Sequence, residues 1–187
     1  VIFVAEVAST CQEALLMQYY LAHAESRQEK AYLINYFLEQ FRTTLYRQTM
    51  FAEFELRIHE HAEAGETLTA ELLNDLYYQL NAVYYGTGMV IDREIAVEWA
   101  RIPHFYYQYY VYQYATGFAA AIALSQRILT LGEPAVEEYL QFLSGGCSKD
   151  PIALLRGAGV DMTSPEPLDQ ALELFAGLVK EMEELLS

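Results

Sequence analysis

The stretch Ile102-Pro-His-Phe-Tyr-Tyr-Gln-Tyr-Tyr-Val-Tyr-Gln-Tyr-Ala-Thr-Gly-Phe118 places six tyrosines and a histidine within eleven residues. A buried tyrosine needs a hydrogen-bond partner for its hydroxyl group, so this cluster indicates a shared polar target inside the fold. A tightly packed aromatic core helix is the simpler alternative, and the stretch taken alone favours it. Pro103 suits the first position of a helix, and we predict one continuous helix from there to about Leu131.

Helical periodicity continues on both sides of this stretch, and strand patterns are nearly absent. The fold class is therefore predicted to be all-α, a multi-helix bundle forming a single domain over residues 1–187. We expect a mixed segment at 89–101 that includes a short helix at 95–100. The other predicted helices cover about 4–24, 26–64 with Ser26 as N-cap, a helix from Thr67 or Thr69 to 85, then 133–143, 151–156, and a last helix to 186 after the capping box Thr163-Ser-Pro-Glu166.

Composition excludes several classes of partner. The net charge of −15 argues against nucleic acid and against an anionic membrane surface. No uninterrupted apolar run approaches the roughly 18 residues that a membrane span requires. Cys11 and Cys147 lie in no metal-type spacing and are interpreted as reduced thiols without a role, which fits a cytoplasmic protein. The opening residues, Val-Ile-Phe-Val-Ala, do not have the pattern of a signal peptide, and we expect the chain to belong to something longer.

The first predicted helix carries a polar face. Glu6, Ser9, Thr10 and Glu13 recur at i, i+3, i+4 and i+7, which places two carboxylates and two hydroxyls on one side. A solvated face is the commoner arrangement for such a stripe. If the face is buried, the carboxylates need a cation, a metal or strong hydrogen-bond donors.

A second polar segment, Ile58-His-Glu-His-Ala-Glu63, superficially resembles a metallopeptidase motif. A zinc-binding helix requires histidines at i and i+4, and position 63 is glutamate. We interpret the segment as solvated surface and expect no metal there.

Three stretches together carry a family resemblance: Phe3-Val-Ala-Glu-Val-Ala-Ser-Thr-Cys-Gln-Glu13, the tyrosine-rich run Pro103 to Gly117, and Gly145-Gly-Cys-Ser-Lys-Asp-Pro151. They resemble oligoendopeptidase F, a member of the thimet oligopeptidase class of zinc metallopeptidases. The resemblance covers essentially the whole chain. It implies the C-terminal portion of a zincin-type helical catalytic domain that hydrolyses short peptides with one Zn²⁺ per intact enzyme.

The resemblance also implies roles for the acidic face. In that family, zinc is held by two histidines of an H-E-x-x-H helix and by a glutamate on a following helix. This third-ligand role falls on Glu6. Glu13 then orients a zinc-ligating histidine from outside the coordination sphere.

The substrate-binding and oxyanion-stabilising residues implied by the resemblance lie in the tyrosine-rich stretch. They are His104, Tyr106, Tyr110 and Tyr112, with Tyr112 the tyrosine expected to meet the oxyanion. The register is open at two places: Tyr107 competes with Tyr106, and Tyr109 could equally serve packing.

The sequence departs from the family in one large respect, because no H-E-x-x-H occurs in the 187 residues. The chain would thus supply one zinc ligand of three and no general base. By itself we expect it to be inactive and metal-free, to depend on the missing N-terminal part of the same enzyme, and to self-associate through exposed apolar surface. The alternative is a non-enzymatic helical ligand-binding or oligomerisation module.

Overall fold

Eight α-helices account for most of residues 2–187, the part of the chain that this computed structural model describes. No strand occurs among the described residues, so the all-α prediction is confirmed. The helices are α1 (Ile2–Ala22), α2 (Arg27–Gln40), α3 (Arg47–Glu63), α4 (Ala70–Tyr85), α5 (Tyr112–Leu131), α6 (Glu133–Ser144), α7 (Pro151–Gly157) and α8 (Glu166–Leu186).

Three helix starts are fixed by side-chain caps that the sequence predicts. Ser26, Thr69 and Asp150 precede α2, α4 and α7. In each case the cap oxygen accepts a hydrogen bond from the backbone N–H three residues later, at 3.1, 3.2 and 2.9 Å. Such bonds satisfy donors that have no partner within the helix, which explains why these boundaries can be located from sequence.

The long helix predicted for 26–64 is interrupted by a π-helical turn, Phe41–Tyr46, between α2 and α3. The hydroxyl of Thr43 donates to the backbone carbonyl of Glu39 at 2.7 Å. A threonine bonded to the carbonyl four residues earlier competes with the regular helical ladder and favours a local distortion. The prediction of helix is confirmed, and the distortion is an addition to it.

The chain divides into two compact units. The first comprises the residues up to Leu45 together with Gln113–Ser187, and the second comprises Tyr46–Tyr112. That the two form a single domain stays a prediction. None of the helices in the described part of the chain combines the length and the apolar character that crossing a membrane requires.

Helix α5 forms the centre of the first unit, because every residue from Gly117 to Ser125 is buried. A Cβ atom at Gly117 would lie only 3.1 Å from the carbonyl oxygen of Phe3 and 3.7 Å from Val7 Cγ2. The absence of a side chain there lets α1 lie close against α5. This contact fixes which face of α1 is buried and which is left outside.

The second unit is built on α3, α4 and the 3₁₀ segment Arg93–Arg101. Glu98 holds that segment in place by accepting hydrogen bonds from Tyr77 Oη at 2.6 Å and Arg47 Nη2 at 2.7 Å. Burial alone would raise the pKa of Glu98, but these two donors and Arg101 hold the pKa below its usual value. The expected helical element at 95–100 is thus present, as part of a longer 3₁₀ segment.

The predicted continuous helix from Pro103 to Leu131 is wrong in its first half. A short 3₁₀ segment, Pro103–Tyr106, is followed by a turn, and α5 begins only at Tyr112. Gln108 and Tyr109 take positive φ angles of 50° and 54°, which a right-handed helix cannot contain. The backbone N–H of Tyr109 in this turn donates to the carboxyl group of Glu55 in α3.

The predicted capping box at Thr163 is also wrong. The Thr163 hydroxyl donates to Asp161 Oδ1 at 2.6 Å, and Pro165 occupies the cap position of α8 without a side-chain bond. Asp161 accepts hydrogen bonds from Arg156 as well, at 3.0 and 3.1 Å. Because the Thr163 hydroxyl is bonded to Asp161, it does not cap the start of α8 as the sequence pattern predicts.

Gly159 offers a test of packing in the first unit. It has φ +80°, and a Cβ there would lie 2.2 Å from the Cζ atom of Arg127, whose Nη2 is bonded to Glu138 at 2.6 Å. We expect Gly159→Ala to lower the free energy of unfolding by about 1–3 kcal/mol. Urea denaturation of the chain measures the change.

The matched control is Gly177→Ala within α8, where no atom lies within 4 Å of the added methyl group. This substitution should raise the free energy of unfolding by about 0.5–1 kcal/mol, because alanine suits a helix better than glycine. Equal effects of the two substitutions would contradict the positive φ and the close contact described for Gly159 taken together.

Candidate functional site

The acidic face of α1 is exposed. Glu6, Ser9 and Glu13 lie on the surface, whereas Val7 and Cys11 on the other side of the helix are buried. Of the two arrangements considered for this face, the chain has the exposed one. Both carboxylates are accessible to a group outside the chain.

Glu6 is held by its neighbour one turn later. The hydroxyl of Ser9 lies 3.0 Å from the Glu6 carbonyl oxygen and 3.1 Å from Glu6 Oε2, and can donate to either. A carboxylate oxygen is a suitable zinc donor, and a hydroxyl bonded to it restrains its orientation. Among residues 2–187, no group of three or more His, Cys, Asp or Glu could hold a metal ion together. The exposed Glu6 carboxylate could offer one oxygen ligand to a metal ion.

The thiol of Cys11 lies on the buried side of α1, whereas Cys147 is exposed, and both are free. Burial raises the pKa of Cys11 to about 11, and a hydrogen bond with Tyr139 lowers it by less. The raised pKa favours the un-ionised thiol, which is a poorer nucleophile than the thiolate.

Three aromatic rings of the second unit form a cluster. The His104 ring stacks on Tyr110 with centroids 5.5 Å apart and planes at 22°. The Tyr107 ring meets both edge-on at 5.9 Å. Two of the predicted substrate-binding residues, His104 and Tyr110, are thus brought together, with Tyr107 beside them.

Phe105 anchors this segment in the core. Its ring packs edge-on against Phe51 at 5.4 Å and Phe54 at 5.1 Å. The next residue, Tyr106, is 74% exposed, and Tyr112 at the start of α5 is 48% exposed. These two tyrosines are accessible, and their predicted contacts with substrate stay predictions.

Glu55 of α3 is a buried carboxyl group that the sequence analysis does not single out. Its side chain is 0% exposed, and Oε1 accepts a hydrogen bond from the backbone N–H of Tyr109 at 2.5 Å. Oε2 is also buried and has no hydrogen-bond partner among the described residues. Burial raises the pKa of Glu55, while the Tyr109 N–H and the nearby His59 oppose the rise.

His59 holds the same tyrosine from its ring side. The imidazole Nδ1 lies 2.7 Å from the carbonyl oxygen of Glu55, and the ring packs on Tyr109 with centroids 4.5 Å apart. The interpretation of this segment as solvated surface is therefore wrong for His59, which is half-buried, and correct for the exposed Glu60 and Glu63. His59 follows Glu55 by four residues, so the two side chains lie on the same face of α3. That face therefore contacts both the backbone and the ring of Tyr109.

A signal for Glu55 is present in the sequence. Phe51, Phe54, Glu55 and Ile58 follow the spacing i, i+3, i+4, i+7 of an apolar helix face. A carboxyl group within such a face is expected to be buried, and a buried carboxyl needs a donor. The sequence offers no comparable sign that the donor is Tyr109.

Comparison with known proteins gives a consistent family. The model of the family described as Peptidase family M3 matches residues 1–174. Oligopeptidase PepF of Bacillus subtilis (strain 168) is 60% identical over 185 residues, which cover 99% of this chain and 28% of that protein. The plasmid oligoendopeptidase F of Lactococcus lactis subsp. cremoris is 46% identical, with coverage of 99% and 31%. The chain therefore spans less than a third of the length of these relatives.

A solved structure agrees with these matches. The crystal structure of oligoendopeptidase-F from Enterococcus faecium superposes with a TM-score of 0.94 at 46% identity. The superposition covers 100% of this chain and 36% of that one. The likeness thus extends over the whole length of the chain.

Proposed function

The chain belongs to peptidase family M3, and we propose that it is the C-terminal part of a zinc-dependent endopeptidase that hydrolyses short peptides. The observation that carries this proposal is the 60% identity to an oligopeptidase over 99% of the chain. The alternative of a non-enzymatic helical module gains no support from relatives that are named as peptidases. A cytoplasmic location is also part of the proposal.

In this proposal Glu6 is a zinc ligand and Glu13, on the same exposed face of α1, orients a zinc-ligating histidine. Zinc held there would supply Lewis-acid chemistry, polarising the scissile carbonyl and making water easier to deprotonate near neutral pH. The hydroxyl of Ser9 holds the Glu6 carboxylate ready to bind. Since this sequence has no H-E-x-x-H, two histidine ligands and the general base come from the N-terminal part of the same enzyme.

The aromatic residues of the second unit contact the peptide. His104 and Tyr112 donate hydrogen bonds to the oxyanion that forms on the scissile carbonyl, and Tyr106 and Tyr110 bind and orient the substrate. The stacking of His104 on Tyr110 supports this role, because a neighbouring ring limits the movement of the imidazole. Donors held in advance stabilise the transition state without reorganising during the reaction.

The chain alone also exposes apolar surface on its first two helices. Leu16, Tyr19 and Tyr20 of α1 and Tyr32 and Tyr36 of α2 are each about half exposed or more. In the intact enzyme we propose that other parts of the protein cover some of this surface. Isolated, the chain should self-associate through it.

The isolated 187-residue chain is expected to cleave no peptide and to retain no stoichiometric zinc after dialysis. Joining it to the N-terminal part of the Bacillus subtilis relative, which contributes the remaining ligands in this proposal, should restore both properties. The measurements are hydrolysis of a short internally quenched peptide, zinc content by atomic absorption, and sedimentation velocity for self-association. Peptide cleavage by the isolated chain with bound zinc contradicts the proposed division of the site, and a monodisperse monomer contradicts the self-association.

A further inference from the structure

We infer that Glu55 is a positioning residue for the peptide-binding aromatic cluster, because it holds the turn that places Tyr110 against His104. This inference rests on the proposed function and deepens it. Glu55 is 0% exposed and cannot touch a substrate, so any effect on hydrolysis must act through the residues that it holds.

The backbone conformation of the turn at Gln108 and Tyr109 requires stabilising contacts from outside the turn. Gln108 and Tyr109 are consecutive residues with positive φ, 50° and 54°, and neither is glycine or asparagine. Side chains with a Cβ adopt this region at a cost in free energy, and such conformations persist only when the surroundings fix them. The sequence of the turn supplies no reason for this conformation, so the reason must lie in its contacts.

Helix α3 provides these contacts through Glu55 and His59, which lie one helical turn apart. The Glu55 carboxyl group accepts the Tyr109 backbone N–H at 2.5 Å, which replaces the helical hydrogen bond that this N–H would otherwise make. The His59 ring packs on the Tyr109 ring at 4.5 Å and is fixed by its bond to the Glu55 carbonyl. Both the backbone and the side chain of Tyr109 are therefore tied to the core of the second unit.

The position of Tyr110 follows from that of Tyr109. The reversal at the turn brings the Tyr110 ring to 5.5 Å from the His104 ring, with the planes at 22°. A chain that continued in one helix from Pro103 would place residues 104 and 110 on different sides, since six residues correspond to about 600° of rotation. Releasing Tyr109 would let Tyr110 leave His104.

The unpartnered oxygen of Glu55 indicates which variants can test whether Glu55 stabilises the turn. Oε2 is buried without a hydrogen-bond partner among the described residues, which suits a neutral carboxyl group better than a charged one. Only the oxygen that faces Tyr109 is needed. Glu55→Gln keeps an oxygen there, whereas Glu55→Ala removes it and Glu55→Asp draws it back by one methylene.

The first arm of the test measures hydrolysis by the full-length enzyme. We expect Glu55→Ala and Glu55→Asp to lower kcat about 10²-fold, the effect of displacing a catalytic group by roughly 1 Å. Glu55→Gln should stay within about threefold of the unsubstituted enzyme, since it preserves the hydrogen bond. Glu71→Ala, an exposed carboxylate on α4 of the same unit, is the control and should leave kcat and KM unchanged.

The second arm is independent of activity and follows amide hydrogen exchange in the segment 104–112. Exchange should become faster in Glu55→Ala and return to the original rate in Glu55→Gln. If Glu55→Ala does not fold, Glu55→Asp decides both arms. Unchanged exchange rates in the variants would show that Glu55 does not stabilise the turn. Faster exchange with an unchanged kcat would show that the turn stabilised by Glu55 has no role in hydrolysis. If the unsubstituted full-length enzyme cleaves no peptide, the proposed function fails, whereas the exchange rates still decide whether Glu55 holds the turn.

Discussion

Glu6→Gln in the full-length enzyme is expected to lower kcat for peptide hydrolysis by about 10³-fold or more. The neutral amide oxygen is a weaker metal donor than the carboxylate, and metal ions supply several kcal/mol of transition-state stabilisation at such sites. Fluorescence assays with a short quenched peptide measure the rate. Zinc content after dialysis measures the ligand role independently.

Two other carboxylates are compared with Glu6, one as a control and one with a smaller expected effect. Glu137 of α6 is exposed, and Glu137→Gln should change neither the rate nor the zinc content. Glu13→Gln should reduce zinc affinity by about 10–100-fold, the usual consequence of losing a group that orients a metal ligand. Full activity and full zinc content in Glu6→Gln would exclude it as a ligand.

Removing one hydroxyl group from the aromatic segment is expected to have the second-largest effect. Tyr112→Phe should lower kcat by about 10²–10³-fold with little change in KM, because the lost donor acts on charge that develops only in the transition state. His104→Ala should produce a loss of the same order. Steady-state kinetics with one peptide over a range of concentrations separate kcat from KM.

The control for this pair is Tyr32→Phe, a tyrosine of α2 that is 68% exposed and lies outside the proposed site. It should behave like the unsubstituted enzyme. A rise in KM alone for Tyr112→Phe would assign the hydroxyl to substrate binding and refute its role at the oxyanion.

The boundaries of most helices could be predicted because they depend on local chemistry. Ser26, Thr69 and Asp150 cap helices through bonds that span three residues, and the apolar periodicity lies within each helix. The failure at residues 107–111 has the opposite property, because Tyr109 there is bonded to Glu55, which lies 54 residues away. No periodicity within the tyrosine-rich stretch can indicate such a partner.

The candidate site was predictable to different degrees in its two parts. Helical spacing places Glu6 and Glu13 on one face of α1, and the structure leaves that face exposed. Exposure alone does not distinguish a metal ligand from an ordinary surface carboxylate, so the role of Glu6 depends on the family resemblance. The stacking of His104 with Tyr110 could not be predicted, since it requires the turn between them.

X-ray diffraction from the zinc-loaded full-length enzyme, recorded at the zinc absorption edge, tests the central claim most directly. We predict an anomalous peak at about 2.0–2.2 Å from a carboxylate oxygen of Glu6, the usual zinc–carboxylate distance. A zinc peak bound by other residues, with Glu6 outside its coordination sphere, would contradict it.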